Sequence, residues 1–357
     1  MLQPKSFTRS HLRIAINACL AVVFCIVALT ACNSGEKLPD VSNIKVDLHT
    51  KRLDKDLAAL DTNALPAGLQ KLNTKYPEFL NFFLDTLMGF EIKGNYSDTT
   101  TGIQHGLKTF LTYKDYKGLL DTVAKHYPDT KETDEQLTKG FQYMKYYFPN
   151  YQVPQVIYMV SWLNNWGAFT FGDTTLGIGL DMFLGDTYPF YKSVGLPDYT
   201  NSHLRPAYIP VAAFTVVYEN MHPFIKEDRT LLDMMIQKGK EQYFLKQVVP
   251  FAADTTRLGY TEKQLKWCKE NEANVYNFFV HDNLFYEKEF ERVLRYVMDG
   301  PSSTGMPPQS PGNIGTWLGL QMVESYMKEH PQTTLPMLLN QNTDPLKFLQ
   351  DSKYKPR

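Results

Sequence analysis

Three polar side chains close an otherwise apolar segment. Tyr218, Glu219 and His222 end the run Arg205-Pro-Ala-Tyr-Ile-Pro-Val-Ala-Ala-Phe-Thr-Val-Val-Tyr-Glu-Asn-Met-His222. Their spacing is that of H-E-x-x-H, in which two histidines one helical turn apart hold Zn²⁺ and the glutamate activates water. Tyrosine stands here at the first ligand position. Tyr218 and His222 still share a helix face, and Glu219 lies three residues before His222. On the next predicted helix, Lys238-Gly239 stands where a third, carboxylate ligand would be expected. An ammonium there opposes a divalent cation, so Lys238 is expected to pair with Glu219 and replace the metal's charge. The leading expectation is therefore a helix end with no catalytic residue and no metal, Glu219, Tyr218, His222 and Lys238 being vestiges. Three other uses are a zinc peptidase with Glu219 as base and His222 as ligand, polar groups that merely satisfy a buried helix end, and a cleft carrying a small ligand.

Little other chemistry is written in the chain. It has no G-x-S-x-G elbow, P-loop or G-x-G-x-x-G. Its eight histidines stand at 11, 49, 105, 126, 203, 222, 281 and 330, none within a helical turn of another. Paired zinc ligands usually begin from such a turn.

The elements that must position the polar trio follow from periodicity and punctuation. Pro210 sets the first turn of a helix ending before Pro223, and its nearly unbroken apolar surface predicts burial. Upstream, Val153–Ser161 reads as a strand, and 167–181 as a hairpin turning at Gly172-Asp173. Gly177 and Gly179 within the hairpin suggest close backbone approach. Residues 46–76 read as two short helices, 77–88 as a stronger one, and 113–126 as another. Thr133-Asp-Glu-Gln136 has the form of a capping box before Leu137, Phe141, Met144 and Phe148. Downstream, 230–248, 261–281, 287–298 and 314–329 read as helices, with a proline-rich loop over 300–312 and a short tail. Gly239, Gly312, Gly315 and Gly319 are expected to be structural, letting neighbouring backbones approach. The expected class is a mostly helical α+β fold with a small central sheet, laid out like a degenerate zincin domain.

The N-terminus carries a different message. Lys5, Arg9 and Arg13 precede an apolar run from Ile14 to Leu29, the form of a secretory signal peptide over 1–31. It ends Leu29-Thr30-Ala31-Cys32, a lipoprotein cleavage box, so Cys32 is the expected site of lipidation (palmitate). Residues 32–46 are polar and unpatterned and read as a tether, leaving 47–357 as one domain, with 47–152 helical and 153–357 the hairpin and core helices. Of four cysteines only Cys268 would remain free, so stability must come from core burial rather than disulfides. Losing Lys5, Arg9 and Arg13 takes the formal charge from −1 to −4, which argues against a nucleic-acid partner. The anchor supplies the membrane contact. Asn33 after the cysteine, where aspartate would signal inner-membrane retention, points to the outer membrane. The tether's lack of an acidic run points to its periplasmic face.

Longer stretches carry a resemblance. Asn220-Met-His-Pro-Phe224, Glu227–Ile236, Gly239–Leu245, Gly259–Trp267, Glu270-Asn-Glu272, Pro311–Gly319 and Ser352–Pro356 resemble the gliding-motility lipoprotein GldB family of Bacteroidota. The likeness covers essentially all of the chain after the signal segment. It implies a cell-envelope lipoprotein needed for gliding, with protein partners in a motility apparatus linked to type IX secretion. More distantly, the chain resembles predicted zinc-dependent proteases that keep H-E-x-x-H and Glu-Gly, from which it departs at Tyr218 and Lys238.

Overall fold

A continuous apolar run makes Gln155–Met159 (β2) the buried centre of a four-stranded sheet, with order β1-β2-β4-β3. In this computed structural model, residues 38–90, 96, 102–164, 166–223 and 229–357 are described. The signal segment, Cys32, the tether as far as Lys37 and most of the predicted loop at 98–102 lie outside them. Thr50–Arg52 (β1) and Thr175–Gly179 (β4) flank β2 in parallel, and Ala168–Phe171 (β3) closes the edge antiparallel to β4. The hairpin turns at Gly172, whose φ is 57°. Phe169 lies directly opposite Gly177, and a Cβ on Gly177 would collide with its ring. Glycine is there to seat an aromatic side chain.

The helices run in chain order around that sheet. The first part holds α1 (Leu53–Ala58), α2 (Leu65–Lys75), α3 (Phe79–Phe82, continuing as a π turn over Phe83–Leu87), α4 (Lys108–Thr112), α5 (Lys114–His126) and α6 (Lys131–Tyr147). After the sheet come α7 (Phe190–Ser193), α8 (Ile209–Met221) and α9 (Leu231–Val248). Next are α10 (Asp254–Leu258), α11 (Glu262–Glu270), α12 (Glu272–His281) and α13 (Phe290–Val297). The chain ends with α14 (Ile314–Glu329), α15 (Leu335–Asn340) and α16 (Pro345–Ser352). The mostly helical α+β class is as the sequence predicts.

Four details differ from the sequence reading. The segment read as purely helical contains β1, three residues too short to show alternation. α6 starts at Lys131, so Thr133 is inside the helix and buried rather than its cap, and no capping box forms there. The 261–281 helix breaks at Asn271, and a true capping box joins Thr261 and Gln264 at the start of its first half. The tail read as short contains α15 and α16.

The body of the chain, Val41–Arg357, is one compact unit. It takes in residues 41–46, which composition assigns to the tether. Val41 is buried, its carbonyl accepts from Ile44 N–H at 3.0 Å, and Gln142 Nε2 donates to the Ile44 carbonyl at 2.9 Å. Cys268 is free and buried in the core, which pushes its thiol up to about 12. No helix among the described residues is long and apolar enough to cross a membrane.

The crossing of α9 and α14 is the tightest helix contact. A Cβ on Gly239 would strike the Gly319 backbone, and one on Gly319 would strike the carbonyl of Met235. Gly315 likewise faces the Tyr296 carbonyl, and Gly312 the backbone of Gly300. These contacts fix α9, and with it one wall of the site.

Candidate functional site

α8 carries the polar trio to its place. Its buried face packs Phe214 on Phe141 of α6, ring centroids 4.8 Å apart, and Asn220 Nδ2 donates to Asp173 Oδ1 of the hairpin turn at 3.1 Å. The helix ends at His222, whose φ and ψ of −132° and 72° are non-helical, as the residue before Pro223 requires. Across from it, α9 starts from Thr230, whose hydroxyl accepts from Asp233 N–H, while Arg229 pairs with Asp233 at 2.6 Å. A cleft of about 260 Å³ opens between the end of α8, the first half of α9 and the end of α15.

The structure brings Tyr218, Glu219, His222 and Lys238 together on the walls of that cleft. It does not pair them as the sequence suggests. Lys238 Nζ donates to Glu241 Oε2 at 2.7 Å, and Glu219 makes no ion pair among the described residues. The partner is Glu241 because it lies one turn along the same helix and is itself buried. Burial would lower the Lys238 pKa, but the Glu241 carboxylate outweighs it and holds the ammonium above its usual range. Glu219 is raised above the usual carboxylate range by desolvation in the cleft and by Glu241, against the pull of Lys238.

Tyr218 is 6% exposed and packs between His222 and Phe244, both ring centroids 5.3 Å away. Burial, with Glu241 and Glu219 nearby, pushes its phenol far above its usual range, so it stays protonated. His222 is lowered by desolvation and by Lys240, so its imidazole is neutral near pH 7. Its Nε2 is buried without a hydrogen-bond partner.

These side chains do not fit a zinc ion. Tyr218 and Lys238 stand where a zinc site of the H-E-x-x-H kind would call for ligands, and Lys238 is an ammonium paired with Glu241. Among the described residues no group of three or more His, Cys, Asp or Glu side chains could hold a metal. What the arrangement can do is accept hydrogen bonds and bind charge.

Sequence reasoning missed Glu241 and the C-terminal wall of the cleft. Glu241 was legible as an acid at i+3 from Lys238 on a predicted helix. Gln341 was not: it reaches the cleft only because Lys240 Nζ donates to its carbonyl at 2.8 Å and its own Nε2 donates to Tyr326 Oη at 3.0 Å. Lys240 also lies over the Phe348 ring, 5.6 Å from its centroid, and burial lowers it to about 8. It ties the end of the chain to α9.

Residues 34–356 match the family model described as "Gliding motility protein GldB". No curated protein and no solved structure matches the chain.

Proposed function

Because the chain belongs to the gliding motility protein GldB family, we propose that it is a lipid-anchored, non-catalytic docking component of the gliding and secretion apparatus. Cys32 carries the lipid, and the body lies at the outer membrane on its periplasmic face. The observation that carries the non-catalytic part is the ammonium of Lys238, fixed by Glu241 in the cleft where a peptidase would need a ligand. With Tyr218 held as a neutral phenol, α8 keeps the outline of a zinc helix without its donors. Its role is to shape a surface.

Metal content tests this directly. The protein purified from zinc-supplemented cells should carry far less than one zinc per chain and release no products from peptide substrates. One zinc per chain, lost on His222→Ala, would overturn the reading.

A further inference from the structure

We propose that the cleft between α8, α9 and α15 is a receptor for one primary ammonium group, the side chain of a lysine presented by a protein partner. The inference rests on the docking reading only for the source of that lysine.

Ion pairing around the cleft leaves one of its carboxylates unpaired among the described residues. Lys238 is taken by Glu241 at 2.7 Å and Arg229 by Asp233 at 2.6 Å, which leaves the Glu219 carboxylate without a counter-ion among the described residues. The unmet hydrogen-bonding capacity has the same sense. With Gln341 Nε2 given to Tyr326, its Oε1 is buried and has no donor among the described residues, and the neutral His222 has a buried Nε2 with no partner among them. Two acceptors therefore line one cleft, a carboxylate and an amide oxygen, and the imidazole Nε2 is a third when the ring proton sits on Nδ1. An alkylammonium carries three donors, a positive charge and no acceptor, and matches that set. Buried acceptors left unmade are costly, so filling them favours the bound state.

Size and lining point to a side chain rather than a whole small molecule. A volume of about 260 Å³ lies below the roughly 300–1,000 Å³ of pockets that enclose drug-sized ligands. Met221, Pro223 and Leu339 supply an apolar strip on which a four-carbon stem would lie, its head at Glu219. Glu219 is also the most exposed acceptor, placed to meet an incoming cation first.

The test uses the full lipidated chain in detergent, titrated with acetyl-Gly-Lys-Gly-amide and followed by calorimetry and by the His222 ring signals. Two matched probes separate charge from donors. The norleucine peptide keeps the stem only, and the trimethyl-lysine peptide keeps the charge but has no donor. The lysine peptide should bind at least about tenfold tighter than either, shift His222, and lose about tenfold in affinity with Glu219→Gln at an unchanged thermal midpoint. Equal binding of the norleucine or trimethyl-lysine peptide, or full affinity in Glu219→Gln, would overturn the proposal. Free lysine binding as tightly as the peptide would overturn the assignment to a partner's side chain. None of these outcomes alters the metal content, so the docking reading stands or falls separately.

Discussion

Lys238 has carboxylates on two helices to choose from, and local geometry decides. Glu241 is on its own helix and mostly buried, so the pair forms without ordering a second element, whereas Glu219 would have to be reached across the cleft from another helix. Asp181 is the opposite case, a fully buried carboxylate with no ion pair among the described residues. It accepts from Ser161 N–H at 3.0 Å and Leu163 N–H at 2.7 Å, and so holds Trp162 and Leu163 at φ of 64° and 57°. Trp162 is thereby set among Phe110, Tyr113 and Tyr116. Desolvation raises Asp181 from 3.8 to about 6, its hydrogen bonds opposing the rise. Its folded pKa exceeds its unfolded one, so the folded state binds the proton more tightly. The charged form costs folding about 3 kcal/mol at pH 7, a cost removed as pH falls from above 6 toward 4. Urea unfolding should therefore show wild type gaining on Asp181→Asn by about 2 kcal/mol between pH 7.5 and 4.5. A difference independent of pH would mean that Asp181 does not carry this term. Helical spacing suffices to place Tyr218, Glu219 and His222 on one wall, because period fixes the face. No spacing rule links Asp181 to residue 161, or Gln341 to Lys240; those contacts are made by the tertiary fold.

At the scale of elements, glycines decide which helices can meet. The α9–α14 crossing exists because Gly239 and Gly319 let two backbones touch, and Gly319→Ala would drive a methyl into the carbonyl of Met235. Alanine's better helix propensity returns less than about 1 kcal/mol, while the overlap can be relieved only by moving a helix. A net loss of about 2 kcal/mol is expected in urea unfolding. Gly118 on the exposed face of α5 is the control. Nothing lies within 4 Å of a Cβ built there, so Gly118→Ala should be stabilising by up to about 1 kcal/mol. Matching effects at both positions would refute the packing argument. The glycine spacing on α14 was legible in sequence, as were the hairpin turn and the proline-bounded α8. The capping box was misplaced because S/T-x-x-E/Q recurs by chance. At Thr261, unlike Thr133, the backbone enters from an extended conformation, φ −74° and ψ 157°, that lets the hydroxyl cap. α16 escaped notice because its hold is tertiary: Phe348 stacks on Tyr326 at 4.4 Å, and Tyr354 Oη donates to Glu272 at 2.6 Å.

Across the whole molecule, the proposed point of attachment and the compact body fall in separate parts of the sequence. The compact body begins at Val41. Cys32 lies outside it, next to a segment with no apolar pattern of its own. No helix among the described residues could anchor the body by crossing a bilayer, and the near-balanced charge offers no strong basic attraction to anionic lipid. If acylation of Cys32 is what holds the protein to the envelope, its loss should abolish attachment and leave the fold alone. Cys32→Ala should then shift the protein from the membrane to the soluble fraction and abolish colony spreading. Its unfolding midpoint should stay that of the wild-type body, because position 32 precedes the compact unit that begins at Val41. A variant that stays in the membrane fraction would show that the body binds the envelope through its own surface or a partner. One that is released yet spreads normally would show that the motility role does not depend on the anchor. Fractionation and spreading tell these outcomes apart, since none of them requires a change in stability.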